Sequence, residues 1–161
     1  MLPRILFVTD PLCSWCWGTL PQIEMCRRAL ADEASFDFIV AGMQLGSPMG
    51  LPDFEKRQLH KLWDAVREVS GQPFSGIIPD DMIYHSEITC RAVEFARQQA
   101  GSPPWAFLHD VQSAFYAAGQ DTTRSEVIAP LLGVSHDTLT QALKDQAIIE
   151  TTQANFELVE K

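Results

Sequence analysis

The sequence predicts an α/β chain in which one βαβ unit is followed by a long all-helical stretch, and three observations carry that expectation. Arg4 to Thr9 (RILFVT) is a short, almost continuous apolar run with β-branched and aromatic members, the pattern of a strand buried on both faces of a parallel sheet. Leu20, Ile23, Cys26, Arg27 and Leu30 then recur at helical spacing, and Phe36 to Ala41 (FDFIVA) reads as a second strand. Beyond Gly42 no convincing strand appears. A strand, helix and strand this close together form a right-handed βαβ unit.

The later segments read as helices divided by Gly and Pro. Leu59, Leu62, Trp63, Val66 and Val69 place a helix over Asp53 to Ser70, with Gly71 as its stop. A second follows Ser86, a candidate N-cap, and keeps Ile88, Ala92, Phe95 and Ala96 on one face until Gly101. A third begins at Pro103-Pro104, carries Leu108, Val111 and Phe115, and stops before Gly119. Ser125 and Ser135 are candidate caps for two short helices ending near Gly133 and Asp145, and a last helix spans about Ala147 to Lys161. Pro21 is tolerable near the first turn of its helix or at a kink.

Composition narrows the function classes. The chain of 161 residues suits one compact folding unit, and its 46% hydrophobic and 20% charged residues are those of a globular protein. A net charge of −9 with no basic stripe argues against nucleic acid and anionic membranes as partners. No leader-like N-terminus and no span-length apolar segment is visible, so a cytoplasmic location is expected, or a periplasmic one if a leader has been removed.

The chemistry concentrates at Cys13 and Cys16, which follow the first strand and open the first helix. A helix N-terminus presents unpaired N-H groups and partial positive charge, so a first-turn cysteine has its thiolate favoured. Cys16, one turn further in, is placed to attack a mixed disulfide formed on Cys13. The rival use of a Cys-x-x-Cys pair is half of a zinc site, which needs a second ligand cluster. Cys26 and Cys90 stand alone, and His60, His85, His109 and His136 lie apart, so neither a metal nor another cofactor is expected.

Asp10 to Gly18 (DPLCSWCWG) resembles the active-site segment of the DsbA-type thiol-disulfide oxidoreductases, in a branch with a Cys-Ser-Trp-Cys motif. Ala41-Gly42-Met43 with Gly46 is similar to that family's turn after the second strand. Gly71 to Phe74, Ser86 to Ala96 and Ala106 to Gly119 resemble parts of its helical insertion. The resemblance implies a thioredoxin-like fold with an all-helical insertion. Residues 1–46 would form the βαβ half, 47–145 the insertion, and 146–161 a helix returning to the first part. It also implies Cys13 as nucleophile and Cys16 as resolving thiol, acting on protein or small thiol and disulfide substrates, with a redox partner protein to recycle the pair. Two antiparallel strands, a cis-proline loop and a closing helix follow the insertion in that family, whereas this sequence stops at Lys161. Without them the first strand would be an open edge inviting a homodimer through strand pairing, or activity would be reduced.

Other residues have two readings each. Trp15 and Trp17 would line an apolar substrate surface, although Trp17, Trp63 and Trp105 also suit packing positions. Met43, Met49 and Met82 would form an adaptable groove near the cysteines, or fill the core. Cys26 and Cys90 are expected to be buried and inert, and His60 and His109 to be solvated. Glu24 would shuttle a proton if it lay beneath Cys16, and otherwise belongs to the surface. Two rival functions remain: a glutathione-dependent isomerase or transferase, such as a 2-hydroxychromene-2-carboxylate isomerase or kappa-class enzyme, and a non-catalytic protein-binding domain. Members of the former group usually lack the second cysteine.

Overall fold

The computed structural model describes residues 2–45 and 49–160. Two parallel strands, β1 (Arg4–Thr9) and β2 (Ser35–Val40), pair in register from Arg4 opposite Ser35 to Thr9 opposite Val40. Between them runs α1 (Ser14–Ala29), and after them come α2 (Asp53–Ser70), α3 (Glu87–Ala100), α4 (Trp105–Tyr116), α5 (Ser125–Leu132), α6 (His136–Ala142) and α7 (Gln146–Val159). Gly46, at the end of the turn expected after the second strand, lies outside the described residues, as does Lys161. The result is the α/β thioredoxin-like architecture with a helical insertion that the sequence predicts.

Local chemistry explains most boundaries. Gly71, Gly101 and Gly133 end α2, α3 and α5 in the left-handed conformation, where a Cβ would strain the backbone. Ser135 and Asp145 cap α6 and α7 by accepting the N-H groups of Thr138 and Ala147. The other two serines behave differently from the expectation. Ser125 lies inside α5, whose cap is Arg124, and its hydroxyl meets His136 Nε2 at 2.9 Å. Ser86 occupies the cap position of α3 but makes no capping bond, because its hydroxyl is drawn to a buried carboxylate described below.

A contiguous apolar core joins the βαβ unit to the helices, and aromatic rings dominate its centre. Trp63 meets the edges of Phe115 and Tyr116, Phe74 meets Tyr116, and Trp17 stacks nearly parallel to Tyr116 with a centroid distance of 6.4 Å. The β1 strand corrects an expectation. It is not covered on both faces: Ile5, Leu6 and Val8 are 36%, 41% and 51% exposed. Among the described residues β1 has β2 on one side and no strand on the other, and its covered members are Phe7, against Phe36 and Trp105, and the buried Thr9.

Charged groups pin β2 to the insertion. The Arg97 guanidinium donates to Asp37 at 2.8 Å and to the Phe38 carbonyl, sits 5.0 Å from the centre of the Phe38 ring, and pairs with the buried Glu94. Asn155 of α7 donates to the same Glu94 at 3.1 Å, so β2, α3 and α7 share one polar contact.

Candidate active site

The chain leaves β1 at Thr9 and turns through Asp10-Pro11-Leu12 into α1, with Cys13 as the N-cap residue. The Cys13 backbone N-H closes the turn onto the Asp10 carbonyl at 3.1 Å, and the Cys13 carbonyl accepts the first helical bond from Trp17 at 3.1 Å. The N-H groups between them have no helical acceptor, and those of Trp15 and Cys16 reach the Cys13 sulfur. Cys13 and Cys16 are free thiols, each partly exposed.

Their acidities are driven apart. The Cys16 thiol donates a hydrogen bond to Cys13 and, with help from the Cys16 and Trp15 amides, lowers the Cys13 pKa to about 7 against the opposing effects of burial and the Asp10 charge. Donation to Cys13 raises the Cys16 pKa far above the ordinary thiol range, and burial adds to the rise. The Cys13 sulfur is therefore the more readily ionised of the two, and Cys16 holds its proton.

The turn is held from beneath by groups to which the sequence assigned no part in the site. Asp10, fully buried, accepts from the Leu12 and Met43 amides and from the Ser86 hydroxyl, each at 2.8 Å. Burial raises the Asp10 pKa, and these donors oppose the rise. Tyr84 donates to the Leu12 carbonyl at 2.8 Å, and Gln112 of α4 donates to the Asp10 carbonyl at 3.3 Å. Three side chains of the helical part thus clasp a three-residue turn of the βαβ part. Only the Asp-Pro before Cys13 hinted at this in the sequence. The partners lie more than seventy residues away and carry no local signature.

The predicted site residues separate into two sets. Trp15 is 43% exposed beside the cysteines, and Met43 is 58% exposed while its amide reaches Asp10, so both offer apolar surface next to the turn. Trp17 faces inward, 2% exposed: its indole N-H donates to the Pro73 carbonyl at 3.1 Å, and Gln72 donates back to the Trp17 carbonyl at 3.0 Å. It packs instead of lining a substrate surface. Met82 is buried in the core and Met49 is exposed. Glu24 pairs with Arg27 one turn on, at 2.8 Å. Cys90 is buried as expected, 4.0 Å from an Asp10 oxygen, whereas Cys26 is exposed, contrary to expectation, because it lies on the face of α1 turned away from the helices. His60 is half-buried against the Trp63 ring, and His109 is exposed with its ring 5.7 Å from that of Trp17.

No protein-family profile and no curated protein sequence matches the chain. Solved structures do. A Nitrosomonas europaea protein named as a protein disulfide isomerase superposes with a TM-score of 0.88 at 26% identity, over 99% of this chain and 79% of the other. The chain has the thioredoxin-like fold of the DsbA-type proteins. Among other DsbA-type folds, the cytosolic disulfide reductase DsbM of Pseudomonas aeruginosa superposes with a TM-score of 0.76 at 20% identity, over 98% of this chain and 78% of that one. DsbM is also known in a structure with GSH. A 2-hydroxychromene-2-carboxylate isomerase shares the fold at 14% identity, with a TM-score of 0.66 over 96% of this chain and 79% of the other. As a DsbA-type chain the protein falls within the thiol-disulfide oxidoreductase superfamily. No described helix is long and apolar enough to cross a membrane.

Proposed function

We propose that the protein is a thiol-disulfide oxidoreductase that exchanges disulfides with protein or small dithiol substrates through Cys13 and Cys16. The observation that carries this reading is the split acidity of the pair, with Cys13 lowered to about 7 by a hydrogen bond from Cys16. In the reducing direction the Cys13 thiolate attacks one sulfur of a substrate disulfide. The S–S bond breaks, one substrate sulfur leaves as thiolate and takes up a proton, and a mixed disulfide forms. Cys16 then gives up its proton and attacks the Cys13 sulfur, releasing the second substrate thiolate and leaving a Cys13–Cys16 disulfide. Two protein thiols are oxidised as one substrate disulfide is reduced, and the oxidising direction is the reverse. A partner thiol or redox protein restores the starting state.

Trp15 and Met43 supply the exposed apolar surface on which a substrate would rest beside Cys13. DsbM, described as cytosolic and known with GSH, supports a cytoplasmic setting and a glutathione-type small thiol among the partners. The fold likeness to the chromene isomerase supports a second reading, glutathione-dependent isomerisation or transfer, against which the retention of Cys16 counts.

The test is insulin reduction together with oxidation of a model dithiol. Cys13→Ser is expected to abolish both, and Cys16→Ser to accumulate mixed disulfides visible by mass spectrometry. Unchanged turnover in Cys13→Ser overturns the reading. Turnover of an aromatic substrate with glutathione that survives Cys16→Ser would replace it with the second.

A further inference from the structure

The segment from Met82 to Ser86 has two faces. Met82, Tyr84 and Ser86 turn inward, 1%, 8% and 0% exposed, and the last two clasp the active-site turn. Ile83 and His85 turn the other way and form one wall of a cavity of about 490 Å³ that the thiol chemistry does not use. Ile88 and Arg91 of α3 and Arg124 from the loop before α5 also line it, with Asp81, Glu87 and Asp121 among the remaining lining residues. The volume falls within the range of about 300–1,000 Å³ usual for small-molecule sites.

The charges around this cavity are selective. Ile83 and Ile88 are 45% and 41% exposed and give it an apolar floor. Arg91 is already engaged, pairing with Glu87 and donating to the Leu143 carbonyl at 3.1 Å. Arg124 is the open cation: its side chain is 62% exposed and its contact with Glu126 is a long 3.8 Å. Asp121 is occupied by the Thr123 amide and hydroxyl of its own turn. Asp81, also at the rim, has no ion-pair partner among the described residues. Three carboxylates around two guanidinium groups repel a polyanion such as phosphate. One open cation and one open anion at the edge of an apolar floor match a carboxylate and an ammonium joined by an apolar body.

We propose that this cavity binds a short zwitterionic peptide with apolar side chains, its carboxylate on Arg124, its ammonium on Asp81 and its side chains over Ile83 and Ile88. The site lies on the far side of the Met82–Ser86 segment from Cys13 and is independent of disulfide exchange. The test therefore uses the full chain with both Cys13→Ser and Cys16→Ser in place, and follows isoleucine methyl resonances during titration with leucyl-leucine. Saturable shifts of Ile83 and Ile88 are expected at millimolar peptide. Leucyl-leucinamide and N-acetyl-leucyl-leucine, each lacking one charge, are expected to bind roughly fivefold more weakly, as is leucyl-leucine to Arg124→Gln. Ile88→Lys, a change at an exposed position, is expected to abolish the shift at Ile83. Absence of saturable shifts, equal binding of all three peptides, or displacement of leucyl-leucine by inorganic phosphate would overturn the proposal.

Discussion

The Cys16 thiol lowers the Cys13 pKa to about 7, which favours its thiolate near neutral pH. Alkylation of Cys13 by iodoacetamide is therefore expected to follow a titration with its midpoint near neutrality, and a midpoint in the ordinary thiol range would remove the basis of the proposed mechanism. The same shift links to folding. The unfolded thiol titrates at the ordinary value of 9.0 and the folded one near 7, so between these pH values the unfolded state binds more protons and the stability of the reduced protein rises with pH. The gain is on the order of 2 kcal/mol at the upper end and is lost as pH falls through 7. The protein oxidised at Cys13 and Cys16 has lost this titrating thiol and is expected to show none of that gain in urea titrations across the window. A thiol near 7 is also closer to that of thioredoxin, about 7, than to that of DsbA, about 3.5. Equilibration against dithiol buffers is expected to give a potential nearer about −270 mV than about −120 mV, which favours the reducing direction. Beneath the sulfurs, Tyr84→Phe removes the donor to the buried Leu12 carbonyl. It is expected to cost about 1–3 kcal/mol in chemical denaturation. A stability equal to that of the parent chain would mean that water replaces the Tyr84 hydroxyl there.

Helices and strands meet at two glycines of the resembling segments, and each does a different job. At Gly18 a Cβ would lie 2.6 Å from the Val66 Cγ1, so the absence of a side chain sets how closely α1 approaches α2. Gly18→Ala is expected to force the helices apart at a cost of about 1–3 kcal/mol, read as a lower thermal midpoint. Gly42 combines a φ of +61° with a Cβ position 2.7 Å from the Phe156 ring of α7. Relieving the crowding with Phe156→Ala would therefore leave a Gly42→Ala backbone still strained. The elements themselves were legible because each buries a periodic apolar face between Gly or Pro signals. The burial of β1 was not, since a run such as RILFVT reads alike whether a sheet continues on one side or both. Ser86 shows a related limit. A serine before a helix signals a cap, but a buried carboxylate is the stronger acceptor and takes its hydroxyl.

For the whole molecule, the open side of β1 is the most consequential feature outside the cysteine site. Among the described residues the N-H and C=O groups on that side have no strand partner and lie beside the exposed Leu6 and Val8, a template for strand addition. The 161-residue chain is expected to associate as its concentration rises, and Val8→Lys to suppress that association in sedimentation velocity. A parent chain that stays monomeric throughout would show that the edge is protected in solution. Association and thiol exchange are separable, because Val8 and the cysteines lie on different parts of the βαβ unit.

The sequence by itself determined the order of the elements, the place of Cys13 and Cys16 at a helix start after a strand, and hence the class of chemistry. These are local properties, carried by periodicity, turn residues and the spacing of two thiols. The sequence already favoured Cys13 as the more acidic thiol, and tertiary structure alone decided what holds the turn that carries it. The buried Asp10 and the clasp of Tyr84, Ser86 and Gln112 act across contacts between distant segments. It also turned Trp17 inward and left Trp15 in solvent, because one residue faces the aromatic core and the other does not. Burial and hydrogen-bond direction set an acidity, and both exist only once the chain has closed on itself.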